Sequence, residues 1–230
     1  MRNGIVIREA GTMLEYSIRD GDCGTETAFS VIGSKWASEI IRHCFLEKGG
    51  TFSVFKRELS GISDSNLSAQ LKKLRENGMI EKSVDAETGK ASFILTQKGL
   101  DIIPALRMMH FFAIDMGYGD PEPASQIEFT RKLIGNKWAS RIIWLIYNCE
   151  PVRFNEMQRA IEGISFKVLS QQLNSMETNG LVKRKSYEGK VPRVEYSLTE
   201  HGKDAYLIIQ ALAQWCKSYG LLKPRITIDY

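Results

Sequence analysis

The sequence predicts a mostly helical α+β protein in which one domain occurs twice. Residues 32–41, IGSKWASEII, return as residues 134–143, IGNKWASRII, with eight of ten positions identical and an offset of 102 residues. The same offset relates the Gly-Ile-Ser at 61–63 to that at 163–165. A period of about 100 residues is too long for a solenoid unit and suits a small domain. The chain is therefore a tandem duplication.

Length and composition limit the classes of protein to which the chain can belong. The 230 residues, 43% hydrophobic and 25% charged, suit a globular chain with two ordinary domains. No apolar run approaches the roughly 18 residues that a transmembrane helix needs. Residues 1–22 also lack the apolar core and cleavage site of a secretory signal. We therefore expect a cytoplasmic protein with no membrane partner.

The residues that most often carry chemistry are scattered. The four cysteines are far apart and form no C-x-x-C pair, which argues against a disulfide framework and against a zinc site. The three histidines are equally dispersed. The sequence also lacks a phosphate-binding glycine loop, a nucleophile motif and a cluster of catalytic side chains. We expect no metal, no cofactor and no enzymatic activity.

In the first repeat, hydrophobic spacing predicts a series of helices. The first is expected to be capped by Thr25, and the second to span residues 35–46. A short helix at about 53–59 is followed by a tight turn at Gly61, and Ser63 can cap the next helix, 64–76. Two helices joined by a short turn that contains glycine are typical of a helix-turn-helix.

A hairpin and a closing helix complete each repeat. In repeat one, strand-like runs at 79–84 and 92–95 flank a turn, and they predict a wing beside the helix-turn-helix. A long amphipathic helix follows, with Ile102, Leu106, Met109, Ala113 and Met116 on one stripe. Repeat two is expected to follow the same course, with its helix-turn-helix at 154–178, its wing at 181–198 and its last helix at about 200–219.

The predicted organisation is therefore two tandem winged helix-turn-helix domains with short flanking segments. The bounds are an N-terminal arm, domain one, a linker, domain two and a C-terminal tail at 1–22, 23–118, 119–124, 125–220 and 221–230. The linker region is rich in glycine and proline. The arm alternates like two short strands. It is either an ordered segment packed on the body or an element that pairs domains. The tail also alternates like a strand.

These repeats resemble the HxlR-type winged helix-turn-helix transcriptional regulators, relatives of the MarR group. The matching motifs are Ile-Gly-x-Lys-Trp at 32–36 and 134–138, the Gly-Ile-Ser turn, and Leu-Ser-x-Gln-Leu within the recognition helix. The most specific match is Pro-Arg-Val-Glu-Tyr-Ser-Leu-Thr at 192–199, in the second wing. The first wing lacks that signature. The resemblance implies DNA binding, transcription regulation and dimerisation through terminal helices.

The recognition helices supply the candidate DNA contacts. In repeat one, Leu67, Leu71 and Leu74 must face the core, so the polar side chains lie on the opposite face and its flanks. Asn and Gln can bind adenine, and Lys can reach guanine or phosphate. A solvated helix face is the alternative interpretation. The predicted contacts are Ser65, Asn66, Ser68, Ala69, Gln70, Lys72 and Lys73 in repeat one, and Lys167, Ser170, Gln171, Gln172 and Asn174 in repeat two.

The two wings differ in charge. Residues 1–119 carry 15 basic and 15 acidic side chains, whereas residues 120–230 carry 16 basic and 12 acidic. In wing one we expect Lys90 to contact DNA, and in wing two Lys190 and Arg193, because arginine is favoured in the minor groove. Wing two also contains the basic run 183–185. The second repeat is therefore expected to bind DNA more strongly.

Cys23 aligns with the N-terminal cysteine that some members of this family use for redox sensing. The proline that usually follows is Gly24 here. A helix N-terminus would lower the pKa of such a thiol. A cysteine without a sensing role is the alternative interpretation.

The sequence thus predicts a transcriptional regulator whose partner is double-stranded DNA. Its two domains would form a pseudo-dimer within one chain, or two chains would form a homodimer with four winged helices. The alternative is a winged-helix scaffold that binds proteins. The sequence names no small-molecule effector.

Overall fold

The computed structural model describes residues 5–9, 12–16, 24–84, 89–188 and 193–221, with side chains from Thr25 onward. An antiparallel hairpin of β1 (Ile5–Glu9) and β2 (Thr12–Tyr16) precedes the first repeat. Cys23, Lys190 and nearly all of the predicted tail lie outside the described residues. The predicted redox role of Cys23 and the DNA contact of Lys190 therefore stay predictions.

Each repeat contains a helix-turn-helix, a hairpin and a closing helix. Repeat one consists of α1 (Gly24–Ile32), α2 (Lys35–Leu46), α3 (Phe52–Glu58), α4 (Asp64–Glu76), β3 (Ile80–Val84), β4 (Ala91–Leu95), α5 (Gln97–Asp101) and α6 (Ile103–Asp115). Repeat two consists of α7 (Pro123–Ile134), α8 (Lys137–Cys149), β5 (Val152–Arg153), α9 (Phe154–Ala160), α10 (Phe166–Thr178), β6 (Val182–Tyr187), β7 (Arg193–Leu198) and α11 (Glu200–Ser218). The predicted fold class, a mostly helical α+β chain with two winged helix-turn-helix domains, is confirmed.

The predicted helices α2 and α4 have the predicted bounds. Ser34 and Ser63 cap them, each accepting a hydrogen bond from a backbone N–H in the first turn. The predicted cap of α1 is wrong, because that helix begins at Gly24 and Thr25 lies buried inside its first turn. The linker is shorter than predicted, since α7 already begins at Pro123.

The closing helix of repeat one is broken, contrary to the prediction of one long helix. It divides at Ile102 into α5 and α6. Pro104 stands in the first turn of α6, where it has no N–H to donate to the carbonyl of Leu100 and its ring would clash with that carbonyl. Leu207 holds the corresponding position in repeat two, and there α11 runs unbroken for 19 residues.

The wing sheets of the two repeats also differ. In repeat two, β5 adds a third strand to the wing sheet, which has the order β5-β7-β6, and Arg153 lies opposite Glu195. This short strand was not predicted. Its counterpart in repeat one is an isolated bridge between Gly50 and Phe93 beside the two-stranded sheet of β3 and β4.

The two repeats exchange their first helices. Helix α1 packs on α11 of repeat two, α7 packs on α6 of repeat one, and α6 and α11 pack on each other. The buried hydroxyl of Thr130 donates to the carbonyl of Met109 at 2.7 Å, which links α7 to α6. The ring of Phe29 in α1 lies so close to Gly135 that an added Cβ there would be 3.0 Å from it. One continuous apolar core therefore joins both repeats.

A buried charge lies at the contact between the two repeats. Arg141 of α8 is 1% exposed, and its guanidinium lies 3.7 Å from a carboxylate oxygen of Glu26 in α1. Glu39 holds the corresponding position in α2. Two copies of repeat one would therefore bring Glu39 opposite Glu26, and like charges repel. The charge pattern therefore disfavours the pairing of two copies of repeat one.

Candidate nucleic-acid interface

The recognition helix of repeat one, α4, is held by three buried leucines. Leu67, Leu71 and Leu74 face the core, as predicted. The opposite face carries exposed side chains at five of the predicted contacts, namely Ser65, Ser68, Ala69, Lys72 and Lys73. The arrangement of the helix therefore presents short polar and basic groups to solvent.

Part of this face is engaged within the chain. The Ser34 hydroxyl donates to Oε1 of the Gln70 side chain at 2.8 Å, and Nε2 of the same side chain donates to Oδ1 of Asn66 at 3.3 Å. Both Asn66 and Gln70 are half-buried. Lys72 lies 3.8 Å from the Glu76 carboxylate. Base readout by Asn66 or Gln70 would have to compete with these hydrogen bonds.

The recognition helix of repeat two, α10, presents a freer polar face. Leu169, Leu173 and Met176 are buried beneath it. The predicted contacts Lys167, Gln171 and Asn174 are exposed, and Ser170 and Gln172 are half-buried. Across the described ranges of the chain, none of these five side chains has a hydrogen-bond or ion-pair partner. The polar groups of α10 are therefore available to an external partner.

Phe166 was not among the predicted contacts. It is the first residue of α10, its side chain is 62% exposed, and its ring lies 4.7 Å from that of Phe154. The N-terminal residues of a recognition helix are those that meet base edges, and an apolar side chain there can contact a thymine methyl. The available signal was an aromatic residue where repeat one has Asp64.

The second wing has one basic outer face. The register pairs Lys185 with Glu195 and Tyr187 with Arg193, so these side chains share a face of the hairpin. Arg193 lies 4.4 Å over the Tyr187 ring, and Lys185 lies 4.9 Å from it. Glu195 offsets part of this charge, at 3.5 Å from Arg193 and 3.8 Å from Arg153. Tyr187 thus holds two cations side by side at the end of the described wing.

Two further cations, Lys183 and Arg153, extend this basic face, and a third, Arg184, lies on the opposite face of the hairpin. Lys183 and Arg184 precede Lys185 on β6 and are exposed, and Arg153 of β5 is 51% exposed at the far edge of the sheet. Arg153 was not among the predicted contacts, because the strand that places it beside the wing was not predicted.

The first wing offers less positive charge. Its register places Lys82 opposite Phe93 and Glu81 opposite Ile94, and Lys90 is exposed at the start of β4. The difference in charge between the wings follows from their sequences. Repeat two therefore combines the freer helix face with the more basic wing.

The described cysteines are unsuited to redox sensing. Burial raises the pKa of the Cys44 thiol to about 12 and also raises the pKa of Cys149, so both favour the protonated form. Cys216 is buried as well. A reactive thiolate is therefore not expected at these positions.

One group of metal-ligating type comes together in the described part of the chain. The ligand atoms of Asp115, His201 and Asp204 lie within 4.8 Å of one another, between α6 and α11. The Asp115 carboxylate lies 3.2 Å from the Nδ1 atom of His201, in a contact between α6 of repeat one and α11 of repeat two. Asp115 and Asp204 are exposed.

Among the described helices, none has the length and hydropathy needed to cross a membrane.

Comparison with known proteins finds the same domain twice. The model of the HxlR-like helix-turn-helix family matches residues 31–119 and again residues 133–223. An HTH-type transcriptional regulator of Halalkalibacterium halodurans is 45% identical over 87 residues, covering 38% of this chain and 77% of that protein. YkvN of Bacillus subtilis, also named an HTH-type transcriptional regulator, is 42% identical over 93 residues, covering 40% and 78%.

The chain is also similar to a protein of known structure. The reduced form of the transcriptional regulator YodB from B. subtilis is 30% identical, covers 41% of this chain and 91% of its own, and has a TM-score of 0.38. The two family matches together span well over half of the sequence. The chain belongs to the HxlR-like helix-turn-helix family and carries that family's domain in two copies.

Proposed function

We propose that the protein is a DNA-binding transcriptional regulator that holds duplex DNA with both winged helices and more strongly with repeat two. The recognition helices α4 and α10 would enter the major groove, and the wings would lie along the backbone or in the minor groove. Relatives named as HTH-type transcriptional regulators support the general role. A protein that reads chromosomal DNA would act in the cytoplasm, and the proposal assigns it no reaction.

The proposed difference in DNA binding between the repeats rests on the hydrogen bonding of their recognition helices. The five polar side chains predicted to contact DNA on α10 have no partner in the described residues. On α4, by contrast, the Gln70 side chain is hydrogen-bonded both to Asn66 and to Ser34. An unpaired amide gains its full hydrogen bond on contact with a base edge, but an amide that must first break an internal bond gains less. Repeat two would therefore supply more of the base readout.

The charges of the wings also support stronger DNA binding by repeat two than by repeat one. Lys183, Arg184, Lys185 and Arg193 are exposed on wing two. Each cation that neutralises a phosphate releases a counterion, so binding through wing two would depend strongly on salt. Wing one, with Lys82 and Lys90, would contribute a smaller share.

The test is a salt titration of binding to mixed genomic duplex DNA, followed by fluorescence anisotropy. The variants are Lys185→Ala/Arg193→Ala in wing two and Lys72→Ala/Lys73→Ala on α4, which remove the same charge. Two lost phosphate contacts lower the slope of log affinity against log salt by about 1.8. We expect that loss from the wing-two variant and a smaller loss from the α4 variant.

Other outcomes are equally informative. Equal losses would mean that both repeats hold DNA alike and would refute the asymmetry while leaving the regulator. If the wild-type protein fails to bind duplex DNA at low salt, the DNA-binding proposal is wrong. The winged helices would then act as a scaffold that binds proteins.

A further inference from the structure

An exposed apolar surface runs along α6 and is not used by the proposed DNA interface. An open groove of about 930 Å³ lies against it, and we call this surface the α6 face. Phe111 is 55% exposed and Ile114 47% exposed, and contiguous exposed apolar side chains of this kind mark interaction sites. The apolar side chains that border the groove include Phe45, Leu100, Met108, Phe111, Ile114 and Leu207.

The duplication supplies an internal control for this surface. Gly99 and Gly202 align α6 with α11 at an offset of 103 residues. In α11 the positions of Phe111 and Ile114 are held by Gln214 and Lys217, and both are exposed. The fold therefore tolerates a polar face at this place. The apolar character of the α6 face belongs to repeat one alone.

The groove is lined mainly by repeat one, with Asp204, Leu207 and Ile208 of α11 along one side. In repeat two the rings of Tyr147 and Tyr206 stack at 3.6 Å. Phe45 and Ile103 hold the corresponding positions in repeat one, and both border the open groove. Repeat two fills this place with its own side chains, whereas repeat one leaves it open to a partner.

The order of residues along α6 is complementary to itself in the antiparallel direction. If two α6 helices cross at Phe111, Met108 of one lies opposite Ile114 of the other. The same register sets Arg107 opposite Asp115, so opposite charges meet at both ends of the contact. Residues 104, 107, 108, 111, 114 and 115 follow the spacing of one helix face. Such self-complementarity is what a two-fold interface requires.

The charged groups are placed for this contact. Arg107 is exposed and has no ion-pair or hydrogen-bond partner among the residues that the structure describes. Asp115 is exposed and lies 3.2 Å from His201, which leaves its outer side open. Asp204, also exposed, borders the same groove. Arg107 of a second copy of the chain would contact two carboxylates here, on a surface that is otherwise apolar.

We propose that a second copy of this chain binds to the α6 face, with the two α6 helices antiparallel about a two-fold axis at Phe111. The contact joins two internally paired chains into an assembly with four winged helices. Phe45 and Leu207 flank the central helices and widen the apolar contact toward the roughly 800 Å² per partner of a typical stable interface. The proposal concerns free protein and holds whether or not the chain binds DNA.

Sedimentation equilibrium of the full chain without DNA tests the proposal. The wild type is expected to sediment as a dimer, and Phe111→Glu as a monomer, because the change buries two carboxylates at the axis. Gln214→Glu, at the counterpart position in α11, is the matched control and should leave the dimer intact. Circular dichroism and thermal unfolding of each variant show whether the chain still folds.

A charge exchange tests the register. Arg107→Asp and Asp115→Arg should each weaken the dimer, since each sets like charges opposite one another. Mixing the two variants should produce a heterodimer, because every facing pair is then of opposite sign, and the double variant should regain the dimer of the wild type. A mixture that stays monomeric would overturn the antiparallel register.

Two results would overturn the second copy as the occupant. One is a wild-type monomer at roughly 100 µM, a concentration at which even a weak specific dimer forms. The other is a dimer that survives Phe111→Glu. A monomer whose groove binds an apolar dye, with binding lost in Phe111→Glu, would assign the groove to a small apolar ligand instead.

Discussion

The indole Nε1 of Trp215 donates a hydrogen bond of 3.0 Å to the backbone carbonyl of Lys98, and so joins the last helix of repeat two to α5 of repeat one. Trp215 is 4% exposed, and the Lys98 ammonium lies 5.6 Å over its ring. Beside it, the Tyr219 hydroxyl donates to Asp101 at 2.6 Å. These contacts fix one repeat against the other.

We expect Trp215→Phe to lower the free energy of unfolding by about 1–3 kcal/mol, because it removes the hydrogen bond and part of a buried ring. Phenylalanine is the residue that repeat one has at this position, Phe112, so the helix should still form. Urea unfolding measures the change. Gln214→Ala, one residue earlier and exposed, is the control and should change stability by less than about 0.5 kcal/mol.

A second prediction concerns the close approach at Gly202. A Cβ added there would lie 2.1 Å from the Leu181 carbonyl oxygen, and the same approach occurs between Gly99 and Met79. Backbone atoms must shift to admit Gly202→Ala, so we expect a loss of about 1–3 kcal/mol in unfolding free energy. Gly119→Ala, which has open space around the added Cβ, should be close to neutral. Equal stability of the two variants would contradict this packing.

The cysteines give a third prediction. Because burial raises the pKa of Cys44 to about 12, its thiol should resist iodoacetamide at pH 8 in the folded protein and react after unfolding. Half-buried Cys149, whose pKa is also raised, should react slowly but before Cys44. Mass spectrometry of the labelled peptides gives the order. Rapid labelling of Cys44 in the native state would contradict its burial.

The same shift predicts a dependence of stability on alkaline pH. The folded-state pKa of Cys44 is raised from 9.0 to about 12, so the folded chain holds this proton while the unfolded chain releases it. The contribution to stability is complete below pH 9 and is lost as the pH rises toward 12. Cys44→Ala should therefore show a shallower fall in unfolding free energy between pH 8 and pH 10 than the wild type.

A fifth prediction separates base readout from phosphate contact on α10, and it depends on the proposed function. With a duplex selected from random sequences, Gln171→Ala should reduce the preference over competitor DNA by roughly 1–3 kcal/mol and leave the salt slope unchanged. Lys167→Ala should lower the salt slope by about 0.9 if it contacts phosphate, with little change in preference. If the two variants behave alike, these roles are wrong.

Much of the fold could be predicted because its signals are local. Ser34 and Ser63 stand at helix starts ahead of clear helical periodicity, and α2 and α4 were predicted at their observed bounds. The break at Ile102 was not predicted, although Pro104 signals a helix boundary. The reason is that the apolar residues around Pro104 keep the spacing of one helix face. The strand β5 has two residues, too few to show a period.

The site was only partly predictable because its contacts are not local. The exposed faces of α4 and α10 follow from the buried leucines. The bond from Ser34 to Gln70 joins residues 36 apart, so no local pattern could reveal it. The exchange of α1 and α7 between repeats was equally hidden, since the apolar face of a first helix suits its own repeat as well as the other.

The exchange of α1 and α7 determines whether the two halves of the molecule stay paired at low protein concentration. In a dimer of separate subunits, the fraction that is paired falls on dilution. Here α1 and α7 reach across within one polypeptide, so the two halves meet at an effective concentration set by the tether between them. A cell with few copies would still have every copy paired. Any larger assembly through α6 would instead depend on expression level, and the number of occupied half-sites could follow the amount of protein made.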